Sequence, residues 1–317
     1  MNRHVKTALI AAAAAGAYSA LTGFVYYEVM GRRAHIPPFA FSLADKKAQK
    51  EPDYKPYAET DGEKWFKEQS LIEFTRTNEE NHALKAYFLP AENDSKNFVF
   101  LSHGYRSNAR DEFGRFAKFY HDNGVNVFMV DHQAAGQSEG GLITFGQREA
   151  RDGLGWLDFM IDTFGDDIEI FLHGISMGCA TVTAMTGNDT LPENVKFTVA
   201  DCGYTSMLDE FKSNLDKAHV PAFPLLNAVS VIHRAATGMS IKEGAPIDMV
   251  KNAKVPVLFI HGATDDFVPT TMVFELYEAC TSEKDLLIVD DAEHAESYKK
   301  DPASYEAKVK EFMDKYL

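Results

Sequence analysis

Cysteine is scarce in this sequence, and motifs for metals or phosphate groups are missing from it. The 317 residues include only Cys179, Cys202 and Cys280, whose spacing fits neither a disulfide framework nor a paired-cysteine metal site. The chain has no H-E-x-x-H motif and no G-x-x-x-x-G-K-[ST] phosphate loop. A partial glycine pattern at 153–155 lacks its third glycine and lies in a helical segment. The sequence therefore predicts neither a metal site nor a cofactor site.

Positive charge is also scarce, which argues against a nucleic-acid-binding protein. Lys and Arg number 32 against 47 acidic residues, for a net charge of −15. An excess of negative charge repels a phosphate backbone, so we expect no nucleic-acid partner. Hydrophobic residues at 45% and charged residues at 25% are ordinary for a globular protein. The length corresponds to about two average domains, although open α/β folds are often longer than average as one domain.

The N-terminal segment, residues 1–33, differs from the rest. Residues 7–27 contain no charged side chain and follow Arg3 and Lys6. A helix of that length spans about 30 Å, the thickness of a hydrocarbon core. The pattern predicts a single-pass anchor in the cell membrane, with the side undetermined. A cleaved signal peptide of a secreted protein and an ordinary helix packed on the domain are the alternatives.

Residues 34–64 contain four prolines and mixed charge, which is typical of a linker or lead-in. The predicted catalytic loops all lie after Phe98. We therefore expect a chain that starts near Ala34 to keep full activity.

The body of the chain, 65–317, alternates strand and helix patterns. Apolar, β-rich runs occur at 71–75, 83–89, 98–102, 125–131, 168–173, 195–201, 255–261 and 286–289. Helical periodicity follows most of the later runs, which predicts a mostly parallel eight-stranded sheet with helices on both faces. The alternation stops at about 203–250, where two apolar helical stripes predict a small cap inserted after the sixth strand.

The strongest chemical motif is G-x-S-x-G at 174–178, between a strand and a helix. A turn this sharp leaves room only for small residues at its flanks, and it exposes the serine oxygen above the sheet. We predict that Ser176 is a catalytic nucleophile. The alternative is that Ser176 only caps the helix that follows.

A serine nucleophile needs a histidine base and an orienting acid, which follow the serine in the order acid, then histidine, in this architecture. Asp265 follows the seventh strand, and His294 is the one histidine after it. Asp201, after the sixth strand, is the alternative acid. We favour Asp265 because it lies in the fuller motif, H-G-x-x-D-x-x-V-P at 261–269.

The loop after the third strand supplies the last component. The backbone N–H groups of Tyr105 and Met177 are predicted to stabilise an oxyanion. His103 precedes the nucleophile in the chain, so we expect it to hold this loop by hydrogen bonds.

Together these motifs resemble the α/β-hydrolase superfamily over roughly residues 70–317. The resemblance rests on S-H-G at 102–104, the motifs at 174–178 and 261–269, and the His294 loop. It is greatest for bacterial membrane-anchored serine hydrolases of the lysophospholipase- and serine-aminopeptidase-like branch. One departure is that Gln133 and Ala135 replace the arginine and histidine that the family often has after the fourth strand.

The resemblance implies an α/β-hydrolase fold and a cofactor-free serine hydrolase that cleaves small-molecule esters through an acyl-enzyme. Phe223 and Leu226, in the cap, are predicted to line an acyl pocket. A peptidase with the same triad is the first alternative, since Asp209, Glu210 and Glu243 offer negative charge for a substrate amine. A non-catalytic binding module is the second alternative, and the intact triad disfavours it.

Overall fold

The computed structural model describes residues 3–32 and 60–317. Most of the predicted linker at 34–64 lies outside the described residues. Its last residues, from Thr60 on, begin a short helix, where the Thr60 side chain accepts from the Glu63 N–H and the Glu63 carboxylate accepts from the Thr60 N–H. This reciprocal capping fixes the start of the helix at the edge of the folded body.

An eight-stranded sheet forms the centre of the protein, in the order β1-β2-β4-β3-β5-β6-β7-β8. Strand β2 pairs antiparallel with β1 and β4, and all the other pairs are parallel. The predicted mostly parallel, eight-stranded sheet is therefore confirmed. The strands are β1 Ile72–Thr77, β2 Ala83–Leu89, β3 Asn97–Ser102, β4 Asn126–Val130, β5 Glu169–Ile175, β6 Val195–Asp201, β7 Val257–Gly262 and β8 Lys284–Val289.

Helices cover both faces of the sheet, and local sequence fixes where several of them begin. Asn108 caps α3 by accepting from the N–H groups of Arg110 and Asp111, and Asp301 caps α11 next to Pro302. The helices are α1 Arg3–Met30, α2 Asp61–Lys67, α3 Ala109–Asp122, α4 Gln147–Phe164, α5 Met177–Thr186, α6 Met207–Lys217, α7 Ala222–Thr237, α8 Pro246–Met249, α9 Thr271–Ala279, α10 Ser297–Lys300 and α11 Pro302–Tyr316, with a 3₁₀ turn at Val250–Asn252.

Two apolar layers hold these helices against the sheet. In β3, Val99 and Leu101 point into the layer shared with α3 and α11, whereas Phe98 and Phe100 point into the layer shared with α4 and α5. All four side chains are buried. Successive strand residues face opposite sides, so a strand buried on both sides must be apolar throughout. That requirement is the physical reason for the continuous apolar runs in the sequence.

A third apolar cluster lies beyond the carboxyl ends of the strands. The chain between β6 and β7 forms α6, α7 and α8, which correspond to the predicted cap. Leu226 and Val229 of α7 pack in one cluster with Met177 at the start of α5. The cap thus sits next to the turn that carries Ser176.

The N-terminal helix corrects an expectation. In the portion of the chain that the structure describes, no helix is both long enough and apolar enough to cross a membrane. The predicted membrane anchor, and the membrane localisation derived from it, are therefore wrong. The carboxyl-terminal part of α1 instead packs on the folded body, where Tyr26 and Met30 are each 1% exposed and join the cap cluster. The 21 uncharged residues were misleading because alanine supplies length without much hydrophobicity.

Candidate active site

Ser176 occupies the turn between β5 and α5 in a strained backbone conformation. Its φ of 56° and ψ of −116° lie where residues other than glycine are rare. A Cβ on Gly178 would meet the Ser102 carbonyl oxygen at 1.8 Å, and one on Gly174 would meet the Gly178 oxygen at 2.1 Å. These contacts explain why glycine is needed at both positions. The Ser176 side chain makes no capping hydrogen bond to α5, so the alternative role as a helix cap finds no support in its geometry.

A hydrogen-bonded line joins Ser176, His294 and Asp265. Ser176 Oγ lies 2.9 Å from His294 Nε2, and His294 Nδ1 lies 2.8 Å from Asp265 Oδ2. A carboxylate can only accept, so Nδ1 is the donor, and in the neutral ring Nε2 is then free to accept the serine proton. The structure thus brings together the three residues singled out by sequence order, from loops after β5, β7 and β8.

Asp265 is held rigidly by its other oxygen and by a second histidine. Its Oδ1 accepts from the Phe267 and Val268 N–H groups at 3.0 and 2.9 Å, and His261 Nε2 lies 3.1 Å from its Oδ2. Burial alone would raise the pKa of Asp265, but the hydrogen bonds from His261 and His294 lower it to about 2. The carboxylate therefore stays ionised across the neutral range and in moderate acid.

The pKa of His294 shifts in the opposite direction to that of Asp265. Burial would lower its pKa, but the hydrogen bond and charge of Asp265 outweigh burial, with help from Glu210 and Asp201, and raise the pKa above 6.5. A raised pKa makes the imidazole a stronger base for the serine proton. The same interactions with Asp265 stabilise the imidazolium that forms when that proton is transferred.

Asp201, the alternative acid, lies elsewhere in the network. Its Oδ2 accepts from Tyr305 at 3.0 Å, and its Oδ1 has no hydrogen-bond partner within the described part of the chain. Burial raises the pKa of Asp201 to about 6, although the Tyr305 hydrogen bond lowers it. None of its hydrogen bonds goes to His294, so the geometry favours Asp265 as the orienting acid.

The loop at 103–106, called the oxyanion loop after its predicted role, lies beside the serine, since a Cβ on Gly104 would be 3.6 Å from the Cβ of Ser176. Neither the Tyr105 nor the Met177 N–H donates to a backbone carbonyl of the described residues, which leaves both available to a ligand. His103 Nδ1 donates to the Gly104 carbonyl at 2.7 Å, and its Nε2 accepts from the His132 N–H at 3.1 Å. His103 thus holds the loop rather than reaching the nucleophile.

The two predicted pocket residues of the cap separate in the structure. Leu226 is 7% exposed and packs in the cluster that includes Met177 and Phe145. Phe223 is 76% exposed and belongs to none of the buried clusters of the described residues. Only Leu226 therefore adjoins the serine turn through packed neighbours.

Sequence reasoning gave Glu210 no advantage over Asp209 and Glu243, but the structure separates the three. Asp209 accepts from the Ser206 hydroxyl at 2.6 Å near the start of α6, and Glu243 pairs with Arg234. Glu210 is 4% exposed, and its Oε2 has no hydrogen-bond partner among the residues described. Burial raises the pKa of Glu210 to about 7, although the nearby His294 lowers it. A helical pattern cannot reveal which carboxylate points inward with an unpaired oxygen.

Metal ligation and cysteine chemistry are two further possibilities for the described residues. Across residues 3–32 and 60–317, no three His, Cys, Asp or Glu side chains are grouped so that they could hold a metal ion. Cys179, Cys202 and Cys280 are buried free thiols, and burial raises the pKa of the Cys179 thiol to about 12. The Cys179 thiol is therefore a poor nucleophile.

Comparisons with known proteins identify a family and several structural relatives. The sequence profile of the prolyl oligopeptidase family matches residues 118–317, which is more than half of the chain. The uncharacterized protein YqkD of Bacillus subtilis (strain 168) is 28% identical over 250 residues, covering 78% of this chain and 81% of YqkD. The Pyrococcus furiosus esterase Pf2001 superposes with a TM-score of 0.64 at 21% identity, covering 83% of this chain and 96% of that one.

A peptidase shares the same architecture. The Pyrococcus horikoshii acylaminoacyl peptidase superposes with a TM-score of 0.57 at 15% identity. The match covers 81% of this chain and 43% of the peptidase chain. At such low identity these likenesses establish the fold, and the predicted α/β-hydrolase fold is confirmed. The narrower resemblance to the lysophospholipase- and serine-aminopeptidase-like branch stays a prediction.

Proposed function

Since the chain belongs to the prolyl oligopeptidase family, and is thus a serine hydrolase of the α/β fold, we propose that it cleaves carboxylic esters with Ser176, His294 and Asp265 as its catalytic triad. The continuous line of hydrogen bonds from Ser176 Oγ through the His294 ring to Asp265 carries this proposal. Its two distances, 2.9 and 2.8 Å, are those of a nucleophile, a base and an orienting acid ready to react.

The proposed reaction has two halves. His294 Nε2 takes the proton of Ser176 as Oγ attacks the acyl carbon, and the Tyr105 and Met177 N–H groups stabilise the oxyanion. The imidazolium then returns the proton to the leaving alcohol, which leaves an acyl-enzyme. A water molecule, activated by the same imidazole, releases the acid. Asp265 stays ionised throughout and keeps His294 in the required tautomer.

An ester with an apolar acyl chain suits the surroundings of the serine. The cap cluster brings Leu226, Phe145 and Met207 together with Met177, whose N–H is the proposed oxyanion donor. These side chains offer no hydrogen bonds, so they favour an acyl group without polar substituents. The structural likeness to an esterase is consistent with this choice.

Fluorophosphonate labelling followed by hydrolysis of a series of p-nitrophenyl esters tests the proposal. We expect labelling and ester hydrolysis in the wild type and neither in Ser176→Ala. Leu226→Ala should change the preference for acyl length, whereas the exposed Phe223→Ala serves as the matched control. Labelling that persists in Ser176→Ala would show that another residue is the nucleophile.

Glu210 favours a second candidate, the hydrolysis of aminoacyl amides or peptides. Its buried carboxylate has an unpartnered oxygen and lies close enough to His294 for each charge to affect the other's pKa. A buried acceptor without a donor is unfavourable, and a protonated substrate amine would supply both hydrogen bond and charge. The family and the likeness to an acylaminoacyl peptidase leave room for this activity.

A matched pair of variants separates the two candidates. Glu210→Gln should abolish activity on aminoacyl amides with a free amine while sparing simple esters, whereas Glu243→Gln, whose carboxylate pairs with Arg234 on the cap, should affect neither. If the wild type hydrolyses esters but no amide in the panel, the peptidase candidate fails. If Glu210→Gln instead loses both activities equally while folded, Glu210 does not select the amine.

A further inference from the structure

The carboxyl end of α1 reaches the candidate active site, although all the predicted catalytic loops follow Phe98 in the sequence. The Tyr26 hydroxyl lies 3.1 Å from His233 Nδ1 on α7, so the helix is fastened to the cap. Met30 is buried in the same cluster as Met177, next to the proposed nucleophile. The last turn of α1 therefore packs against the candidate active site, although the sequence predicts that activity does not need residues before Ala34.

Backbone pairing continues this attachment beyond the helix. The Ile143 N–H donates to the Met30 carbonyl at 2.6 Å, and the Arg32 N–H donates to the Gly141 carbonyl at 3.0 Å, on either side of an antiparallel bridge between Gly31 and Leu142. The Arg32 guanidinium also donates to the Gly136 carbonyl at 2.8 Å. Residues 28–32, the α1 strap, are thus tied to the segment at 136–143.

Two side chains of the oxyanion loop donate to the α1 strap directly. The Tyr105 hydroxyl donates to the Val29 carbonyl at 2.6 Å, and the Arg106 guanidinium donates to the Glu28 carbonyl. The last carbonyls of a helix lack N–H donors within it, so they are available to accept such bonds. The Tyr105 ring is also stacked on Phe145 at 4.9 Å, which fixes the ring plane.

We propose that the α1 strap is a positioning element for the oxyanion hole, acting through the side chains of Tyr105 and Arg106. An oxyanion donor is effective only when it is held in place before the charge develops. The Tyr105 side chain, anchored on Val29, restricts the rotation of the backbone that aims its N–H. The inference rests on the proposed function, in which the Tyr105 N–H is an oxyanion donor.

Tyr105→Phe is the sharpest test, because it removes only the hydroxyl and keeps the ring and the backbone N–H. We expect kcat on a p-nitrophenyl ester to fall about tenfold with KM unchanged, since a displaced donor weakens only transition-state binding. The Ki of a trifluoromethyl ketone, whose adduct carries an oxyanion, should rise by the same factor. Arg106→Gln should likewise lower kcat and raise the Ki of the ketone.

Tyr27→Phe is the matched control. Tyr27 lies in the last turn of α1, next to the α1 strap, but its side chain is 57% exposed. The variant should change neither kcat nor Ki. If Tyr105→Phe and Arg106→Gln lower the melting temperature but leave the Ki of the ketone unchanged, the strap is merely structural and the inference is wrong. If Tyr105→Phe does not fold, Arg106→Gln decides alone.

The two proposals fail in different ways. Absence of fluorophosphonate labelling at Ser176 in the wild type would overturn the proposed function. Full labelling and turnover, together with an unchanged Ki in the strap variants, would overturn only the role of the α1 strap.

Discussion

Asp201 and Asp265 lie at the carboxyl ends of neighbouring parallel strands, and the groups that surround them differ. Asp265 accepts from two backbone N–H groups and lies against two histidines, whose hydrogen bonds and charges lower its pKa to about 2 in spite of burial. Asp201 accepts from one tyrosine hydroxyl, and burial raises its pKa to about 6. The same side chain is therefore an anion in the loop after β7 and readily protonated at the last residue of β6.

The contrast shows that position at a strand end does not make an aspartate an orienting acid. A carboxylate can hold the imidazole in one tautomer, and stabilise its imidazolium strongly, only if it is itself ionised and contacts the ring. Asp265 meets both conditions, at 2.8 Å from His294 Nδ1. Asp201 instead ends a chain of buried hydrogen bonds that runs from Tyr120 through His173 and Tyr305.

The largest expected effect separates the two carboxylates by turnover. Asp265→Asn keeps the shape of the acid but stabilises the wrong tautomer of His294, so kcat should fall about 10⁴-fold with the fold intact. Asp201→Asn should retain turnover near that of the wild type. Hydrolysis of a p-nitrophenyl ester measures both, with circular dichroism as the control for folding. A dead but folded Asp201→Asn beside an active Asp265→Asn would reverse the assignment.

Much of this site could be predicted because local rules determine it. The glycines at 174 and 178 are required by close backbone contacts, and His294 is the one histidine after Asp265. The strands were recognisable because both faces of the sheet are buried. Each of these signals acts over a few residues or follows from chain order.

What could not be predicted depends on contacts between distant parts of the chain. Tyr105 and Val29 are 76 positions apart, and nothing in either neighbourhood indicates that a phenol meets a helix-end carbonyl. The inward orientation of Glu210 depends on how α6 packs. The absence of charge in residues 7–27 predicts a membrane helix, but the described helix is not apolar enough to cross a membrane.

A second experiment compares how the two carboxylates affect stability as the pH changes. The pKa of Asp201 is raised from 3.8 to about 6 in the folded state, so folding favours its protonated form. The free energy of unfolding should therefore lose about 2–3 kcal/mol through Asp201 as the pH rises from 4 to 6. Urea unfolding should show Asp201→Asn gaining stability relative to the wild type over that interval.

Asp265 supplies the control of opposite sign. Its pKa is lowered to about 2, so its stabilisation is present above pH 4 and is lost only as the pH falls through about 2. In the wild type the Asp265 carboxyl should therefore contribute a nearly constant stabilisation between pH 4 and 6. A constant difference between Asp201→Asn and the wild type would mean that the Asp201 carboxyl is not protonated in the folded protein near pH 5.

Tyr305→Phe tests the surroundings of Asp201 with a smaller change. The phenol donates to Asp201 Oδ2 and lies 3.0 Å from His173 Nε2, so its loss leaves buried polar groups without a partner. We expect a loss of about 1–3 kcal/mol of stability and no change in kcat. Thermal unfolding and ester hydrolysis measure the two quantities. A marked loss of kcat in folded protein would connect the Asp201 network to the reaction.

The smallest effect concerns the pH dependence of activity. The pKa of His294 is raised above 6.5 chiefly because Asp265 outweighs burial, and Asp201 adds a weaker contribution of the same sign. The base must be neutral to accept the serine proton, so kcat/KM should fall with decreasing pH through the His294 pKa. Asp201→Asn removes one distant negative charge and should move this acid limb slightly to lower pH, with the plateau unchanged. A shift to higher pH would mean that Asp201 does not act on His294 through its charge, since removing a negative charge can only make the imidazolium less stable.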